Sequence, residues 1–88
     1  MNDKKINDPR NMVGGTIRDL RIKRSMSQLQ LSTKMNSYGH SMTTPTISKI
    51  EKKKRGVSDT EMYSFARILN VPIEALYTKA QIEALHND

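Results

Sequence analysis

The chain has 88 residues, of which 35% are hydrophobic and none is cysteine. Its length fits one domain, and the absence of cysteine excludes a disulfide framework and a cysteine-based zinc site. No apolar run approaches the roughly 20 residues of a membrane-spanning helix, and the charged N-terminus lacks the apolar stretch of a secretory signal. We therefore expect a cytoplasmic protein whose small core is built by helix packing or completed by a second subunit.

Charge is distributed unevenly along the chain. Fifteen Lys and Arg residues against nine Asp and Glu residues give a formal net charge of +6. Residues 1–55 hold 13 of the cations and four of the acids, whereas residues 56–88 hold two cations and five acids. Such a distribution suits a polyanionic partner. Nucleic acid is the first candidate and an anionic membrane surface the second, with ordinary solubilising charge as the alternative.

The N-terminal half of the chain is predicted to contain an arm, two helices and a turn. Residues 1–11 show no periodicity and are predicted to form a flexible basic arm. Apolar residues that share one helical face predict a first helix over 12–24. A capping box over residues 27–30 predicts a second helix over 28–36. The segment 36–42 is rich in Gly, Asn and Ser, which indicates a turn.

Two further helices have clear start signals. Pro45 is typical of the first turn of a helix, where its missing N–H is no loss, and predicts a third helix over 44–53. A second capping box over residues 58–61 precedes apolar residues at helical spacing and predicts a fourth helix over 59–69.

Two shorter helices are predicted over 73–77 and 79–86, and no strand signal is present. The sequence thus predicts a compact all-α fold of five or six helices, in which residues 12–77 form the domain and residues 78–88 a short C-terminal helix or tail. The predicted core residues are Ile17, Leu20, Leu31, Met35, Ile47, Ile50, Met62, Phe65, Ala66 and Leu69.

The second and third predicted helices have the arrangement of a helix-turn-helix. In that motif the first helix crosses the DNA backbone, and the second enters the major groove with its N-terminus leading. The third helix opens on small polar residues that can reach base edges, and cations that can bind phosphates follow it. The candidate base-reading residues are Thr44, Pro45, Thr46 and Lys49. The candidate phosphate-binding cations are Lys52, Lys53, Lys54 and Arg55.

Four motifs occur in the order and spacing of one known family. They are Ile17-Arg18-x-Leu20-Arg21, Ser27-Gln28-x-x-Leu31-Ser32, Thr46-Ile47-Ser48-Lys49-Ile50-Glu51, and Ala66-x-x-Leu69-Asn70-Val71 with Leu76-Tyr77. Together they resemble the Cro/repressor-type (XRE-like) helix-turn-helix family, and the long turn is similar to that of a bacterial subgroup. The resemblance implies a five-helix, lambda-repressor-like domain that binds double-stranded DNA and regulates transcription. Such chains are often carried by bacteria and phages, where they associate with the nucleoid.

The resemblance also implies roles for individual residues. Base-reading positions are matched by Thr44, Pro45 and Lys49, with Thr46 beside them. Backbone-contact positions are matched by Gln28 at the start of the second helix, by Ser48, and by Lys52 after the third helix. Threonine and proline are weak base readers, so we expect phosphate contacts and DNA shape to supply much of the affinity.

Two positions concern the placement of the third helix. Arg21 and Glu51 match a pair that forms an internal salt bridge between the first and third helices of relatives. Two residues after the glutamate the family usually has glycine, and here Lys53 stands in its place. We therefore expect the end of the third helix to be capped differently, or at Gly56.

The apolar residues near the C-terminus leave two interpretations open. They finish the core, or they form a homodimer contact that places two recognition helices one turn of DNA apart, about 34 Å. These residues are Leu76, Tyr77, Ile82 and Leu85. The acidic and apolar segment 71–88 also allows a different class of function, an antitoxin or adaptor of the same fold that binds a protein partner such as a toxin or regulator.

Other classes of function find no support in the sequence. No catalytic constellation and no glycine-rich phosphate loop is present, so we expect neither an enzyme nor a cofactor. His40 and His86 are single and lack companion ligands, so we expect surface residues and no metal. The third helix does not have the pattern of an amphipathic membrane helix, so we expect no membrane partner.

Overall fold

Six helical segments follow one another in the computed structural model, which describes residues 7–86. They are α1 (Gly14–Lys23), α2 (Gln28–Ser37), α3 (Thr44–Glu51), α4 (Asp59–Leu69), a 3-10 helix (Ile73–Leu76) and α5 (Lys79–His86). The prediction of an all-α fold is confirmed, since no strand occurs within the described range. In the same range, no helix has the length and apolar character needed to cross a membrane. Residues 1–6 of the predicted arm and 87–88 of the predicted tail lie outside the described residues.

Reciprocal capping boxes begin three of the helices. At α2, the backbone N–H of Gln30 donates to Ser27 Oγ at 2.9 Å, and that of Ser27 donates to Gln30 Oε1 at 2.8 Å. Residues 58–61 form the same arrangement at α4. At α5, the backbone N–H groups of Thr78 and Gln81 donate to each other's side chains at 2.9 and 3.1 Å. These caps explain why the three helices begin at the predicted positions.

Left-handed residues follow the last turns of four helices. Gly39 takes this conformation after α2, with φ of 97°. Ser25, Lys53 and Asn70 take it after α1, α3 and α4, with φ of 54°, 60° and 59°. Such a residue lets the next two N–H groups cap the helix carbonyls. Three of the four turns are therefore made without the glycine that usually occupies this position.

The end of α3 differs from the expectation in one respect. The N–H of Lys53 donates to the Ile50 carbonyl oxygen at 3.0 Å, and the N–H of Lys54 donates to that of Lys49 at 2.9 Å. These two bonds form a Schellman motif centred on Lys53. The helix ends two residues earlier than predicted because Lys53 leaves the right-handed region. The expectation of a cap displaced to Gly56 is wrong.

The core lies between α1, α2, α3, α4 and the 3-10 helix. α2 packs against α3 and α4, α1 packs against the same two helices, and the 3-10 helix packs against α4. Of the predicted core residues, Leu20 and Met62 are only half-buried and pack at its edge. The buried apolar residues are Val13, Ile17, Leu31, Met35, Met42, Ile47, Ile50, Phe65, Ala66, Leu69 and Leu76.

The last residues of the predicted arm lie against the domain. The N–H of Asp8 donates to the Lys53 carbonyl oxygen at 2.7 Å, and the Arg10 carbonyl oxygen accepts the N–H of Val57 at 3.2 Å. The Arg10 guanidinium hydrogen-bonds the Asp8 carboxylate, which lowers the pKa of Asp8 to about 2. The predicted flexible arm therefore cannot extend to residue 11, because these bonds hold residues 8–11 to the segment that follows α3.

Candidate nucleic-acid interface

The turn between α2 and α3 is held by the side chain of Asn36. Its Nδ2 donates to the carbonyl oxygens of Ser32 and Met42, both at 2.8 Å. Its Oδ1 accepts the backbone N–H of Met42 at 3.0 Å. Met42 is itself buried in the core. This turn therefore fixes the point at which α3 begins, despite its length.

One face of α3 is buried and the opposite face is exposed. The buried face consists of Ile47, Ile50 and Glu51. The exposed face consists of Pro45 and Lys49, with the half-buried Thr44, Thr46 and Ser48 along its edges, and the exposed C-cap residue Lys52 continues it. A spacing of three or four residues aligns the exposed side chains in one stripe. The predicted base-reading residues are thus brought together on or beside the solvent face of this helix.

Thr43, rather than Thr44, caps the start of α3. Thr43 Oγ1 accepts the backbone N–H of Thr46 at 3.4 Å and lies 3.0 Å from Thr46 Oγ1. Pro45 lies in the first turn, where a missing N–H breaks no helical hydrogen bond. The cap therefore accounts for Thr43 and for part of the hydrogen bonding of Thr46, but not for Thr44.

A buried ion pair joins α1 to the end of α3. Arg21 Nε donates to Glu51 Oε2 at 2.6 Å, and the two side chains are 11% and 2% exposed. Arg21 Nη2 donates to Glu51 Oε1 at 3.0 Å, and Nη1 donates to the Met26 carbonyl oxygen at 2.9 Å. The hydrogen bonds to Glu51 raise the pKa of Arg21 above its usual value. Gln28 Nε2 also donates to Glu51 Oε1 at 3.0 Å, so the start of α2 joins the same network.

The cations that follow α3 differ in their surroundings. Lys52 and Lys54 are exposed, and Lys53 is half-buried. Arg55 donates two hydrogen bonds of 3.0 Å to the Glu61 carboxylate, and the two side chains are 35% and 14% exposed. Burial is the largest single effect on the pKa of Glu61 and raises it, but hydrogen bonds from Arg55 and a backbone N–H together bring it below its usual value. Arg55 is therefore already paired within the domain.

Asn11 is a residue of this region that sequence analysis missed. It is 4% exposed, and its Nδ2 donates to the carbonyl oxygens of Ile50 at 2.8 Å and Arg55 at 3.0 Å. Its Oδ1 accepts the N–H groups of Val13 at 3.0 Å and Gly14 at 2.8 Å. An asparagine before a helix is a capping signal, so the bonds to α1 could have been found. The bonds to Ile50 and Arg55 span 39 and 44 positions of the chain, so no local pattern in the sequence indicates them.

Gly14 lets α1 approach the same carbonyl group. A Cβ on Gly14 would clash with the Ile50 carbonyl oxygen and would lie 3.2 Å from Asn11 Nδ2. A Cβ on Gly15 would meet its nearest neighbour, Lys53 Cε, at an ordinary 3.9 Å. The absence of a side chain is therefore required at residue 14 and not at residue 15.

His40 is half-buried rather than on the surface. Its Nε2 lies 2.8 Å from Ser64 Oγ, and Ser64 Oγ donates to the Thr60 carbonyl oxygen at 3.1 Å. This contact joins the turn after α2 to α4. His86 is exposed at the end of α5. Among residues 7–86, no group of three His, Cys, Asp or Glu side chains is placed to hold a metal ion.

The C-terminal apolar residues differ in exposure. Leu76 is 0% exposed and Leu85 is 57% exposed, whereas Tyr77 and Ile82 are half-buried. Tyr77 Oη donates to Met62 Sδ at 3.8 Å. Leu76 is therefore a core residue, and its inclusion in a dimer contact is wrong because it has no accessible surface.

A family model described as a helix-turn-helix matches residues 17–76. The match runs from α1 to the end of the 3-10 helix, so it covers more than half of the chain and every element that packs around α3. A search of curated proteins and a search of solved structures each find no match.

Proposed function

The chain belongs to the Cro/repressor-type (XRE-like) helix-turn-helix family, and from this premise we propose that it is a transcriptional repressor that recognises a specific sequence of double-stranded DNA. Proteins with this motif insert the N-terminal part of the second motif helix, here α3, into the major groove. The observation that carries the proposal is the exposed face of α3, where small polar residues and a lysine precede a run of cations. Such a surface offers base-reading groups first and phosphate-binding groups behind them.

Lys49 is the strongest of the proposed base-reading residues. It is exposed, and lysine can donate to the acceptors of guanine in the major groove. Thr44 and Thr46 each offer a hydroxyl and a methyl group, and Pro45 offers an apolar contact to a thymine methyl. The two threonines and the proline cannot form bidentate pairs such as those of arginine with guanine or of glutamine with adenine. We therefore expect modest discrimination at each base and a contribution from DNA shape.

Proposed phosphate contacts surround this face. They are Gln28, Ser48, Lys52, Lys53 and Lys54. Gln28 donates one of its two amide hydrogens to Glu51, and the other remains for a phosphate oxygen. Arg55 is expected to contribute less than the exposed Lys52, because Glu61 already balances the charge of Arg55.

A second copy of the chain is part of the proposal. Helix-turn-helix dimers bind two half-sites about 34 Å apart, one turn of DNA. Tyr77, Ile82 and Leu85 retain accessible apolar surface at the C-terminal end and are the proposed contact between copies. Burial of that surface would add the stability that a domain of this size lacks.

The test is a fluorescence anisotropy titration of two labelled duplexes, one selected from a randomised pool and one scrambled. We expect a preference of about a thousandfold for the selected duplex and a steep fall in affinity with salt. Lys49→Ala should cost about 1–3 kcal/mol on the selected duplex and relax its sequence preference. Lys52→Ala should weaken binding to both duplexes and reduce the salt slope by about one. Arg67→Ala, which removes an exposed cation on α4, is the control and should change neither quantity.

Repression is tested separately on a promoter that contains the selected site. Transcription should fall as the protein is added and should recover when the site is scrambled. Equal and weak binding of the two duplexes would contradict the proposal and would favour the antitoxin or adaptor function. Increased transcription would contradict repression while leaving DNA binding intact.

A further inference from the structure

The Asn11 side chain links the start of α1 to the end of α3. Its oxygen accepts two N–H groups of α1, and its nitrogen donates both of its hydrogens to carbonyl oxygens of the segment 50–55. All the hydrogen-bonding groups of this buried amide are therefore used within the protein. A surface asparagine that only capped α1 would need none of the bonds to α3.

The two carbonyl groups that Asn11 holds have different places in the site. The Ile50 carbonyl oxygen also accepts the N–H of Lys53, so Asn11 bonds the atom that closes the last turn of α3. The Arg55 carbonyl lies at the end of the run that carries the proposed phosphate contacts. One amide therefore bonds both the last turn of α3 and the segment that carries these cations.

We propose that Asn11 is a positioning residue for DNA recognition, which fixes the angle of α3 in the major groove without contacting DNA itself. This inference rests on the proposed function. Gly14 belongs to the same arrangement, because its missing side chain allows α1 to reach the carbonyl that Asn11 holds. The DNA sequence preference of the protein is thus set in part by a residue that bonds the last turn of α3.

The length of α3 gives the size of the effect. The helix has eight residues, so it is about 12 Å long. A rotation of about 10° at its C-terminal end moves its N-terminal end by about 2 Å, whereas recognition groups must be held to about 0.5 Å. Contacts to base edges should be lost by such a shift, but contacts to phosphates tolerate it because they depend mainly on charge.

Two substitutions separate the tether from the helix cap. Asn11→Ser retains an oxygen that can cap α1. It removes the amide nitrogen that donates to the carbonyl oxygens of Ile50 and Arg55. Asn11→Asp retains the shape of the side chain but places an oxygen against the two carbonyl oxygens. The matched control is Ser58→Ala, which removes the cap of α4 and destabilises the domain by about 1 kcal/mol at a site outside α3. All variants are compared with the unmodified chain at a temperature where circular dichroism shows each to be folded.

Two readouts are measured on each variant. The first is the ratio of affinities for the selected and the scrambled duplex, which we expect to fall by about tenfold or more in both Asn11 variants and to stay constant in Ser58→Ala. The second needs no DNA. Hydrogen exchange at the N–H groups of Lys53 and Lys54, both bonded to the last turn of α3, should accelerate about tenfold in the Asn11 variants, while exchange in the centre of α4 should not.

The outcomes decide the proposal in each case. An unchanged affinity ratio in folded Asn11→Ser would overturn it, and so would an equal loss in Ser58→Ala, which would indicate general destabilisation. If Asn11→Asp does not fold, Asn11→Ser alone decides. If the unmodified chain prefers neither duplex, the proposed function fails, and the exchange measurement still shows whether Asn11 holds α3 in place.

Discussion

The C-terminal end of α3 is held directly by buried polar groups, whereas its N-terminal end has one hydroxyl cap and is otherwise placed by the turn that Asn36 holds. Glu51 accepts three side-chain hydrogen bonds from α1 and α2, and the neighbouring Ile50 carbonyl accepts another from Asn11. At the other end, Thr43 Oγ1 lies 3.4 Å from the N–H of Thr46. The helix is thus anchored at the end that follows the proposed base-reading residues.

This difference separates the support of the helix from its contacts. A buried polar group whose hydrogen-bonding atoms are all used inside the protein must lose one of those bonds before it can bind DNA, at a cost of about 1–3 kcal/mol. Side chains near the N-terminal end of α3 form few such bonds inside the protein, and Lys49 is exposed. Substitutions of the buried groups that anchor the C-terminal end of α3 should therefore act on folding and on helix orientation. Substitutions of the exposed side chains nearer its N-terminal end should act on DNA binding.

Removal of Glu51 is expected to have the largest effect on stability. Glu51→Ala should lower the free energy of unfolding by about 3–5 kcal/mol, because Arg21 stays buried without its partner. The control is Arg55→Ala, which breaks a more exposed pair and should cost about 1 kcal/mol or less. Urea denaturation measures both values. Equal costs would mean that burial does not distinguish the two ion pairs.

The two adjacent glycines of α1 test how closely the rear of α3 is packed. Gly14→Ala should destabilise the domain by about 1–3 kcal/mol, because its Cβ displaces the Ile50 carbonyl. Gly15→Ala meets no close neighbour and should stabilise the helix by up to about 1 kcal/mol. Thermal or urea unfolding of the two variants measures whether each substitution lowers or raises the free energy of unfolding. A Gly14→Ala variant as stable as the unmodified chain would show that α1 can move away from the Ile50 carbonyl without cost.

The helices could be predicted because their signals are local. The capping boxes at residues 27–30 and 58–61 place the starts of α2 and α4 where the structure has them. The short helix predicted over 73–77 is a 3-10 helix over Ile73–Leu76, in which the N–H of Ala75 donates to the Pro72 carbonyl oxygen at 2.9 Å. Four residues are too few for periodicity to distinguish a 3-10 helix from an α-helix.

The site could be predicted only in outline. The exposed stripe of α3 follows from helical spacing, and the pairing of Arg21 with Glu51 was implied by resemblance to a family. The roles of Asn11 and Gly14 could not be found in this way, since their partner is the Ile50 carbonyl, a backbone group with no sequence signature. Contacts between distant backbone and side-chain atoms depend on the tertiary fold.

Lys53→Gly tests the turn that ends α3. A residue with a Cβ is strained at φ of 60°, so glycine should raise the free energy of unfolding by about 0.5–1 kcal/mol. Lys53→Ala removes the same charge but keeps the Cβ, and it is the matched control. Urea denaturation should therefore find the glycine variant more stable than the alanine variant. Equal stabilities would mean that the left-handed turn carries no strain at this residue.

The smallest expected effect is a pH dependence at the partly exposed pair of Arg55 and Glu61. The pKa of Glu61 is lowered from its ordinary value of 4.5 despite its burial, because Arg55 and a backbone N–H bond the charged form. A carboxyl with a lowered pKa in the folded state stabilises the protein above its ordinary pKa, and this stabilisation is lost as the pH falls below it. Glu61→Gln keeps an acceptor for the capping box and removes the charge.

The unmodified chain should therefore be more stable than Glu61→Gln at pH 7, by less than about 1 kcal/mol since the pair is partly exposed. The difference should shrink as the pH falls below 4.5. Asp8, whose pKa is about 2, loses its own contribution in the same acid range, but it is present in both chains and cancels in the comparison. Urea denaturation of the two chains from pH 7 to pH 3 measures the difference. A difference that stays constant over that range would contradict the prediction, because it would show that the charge of Glu61 does not stabilise the folded protein.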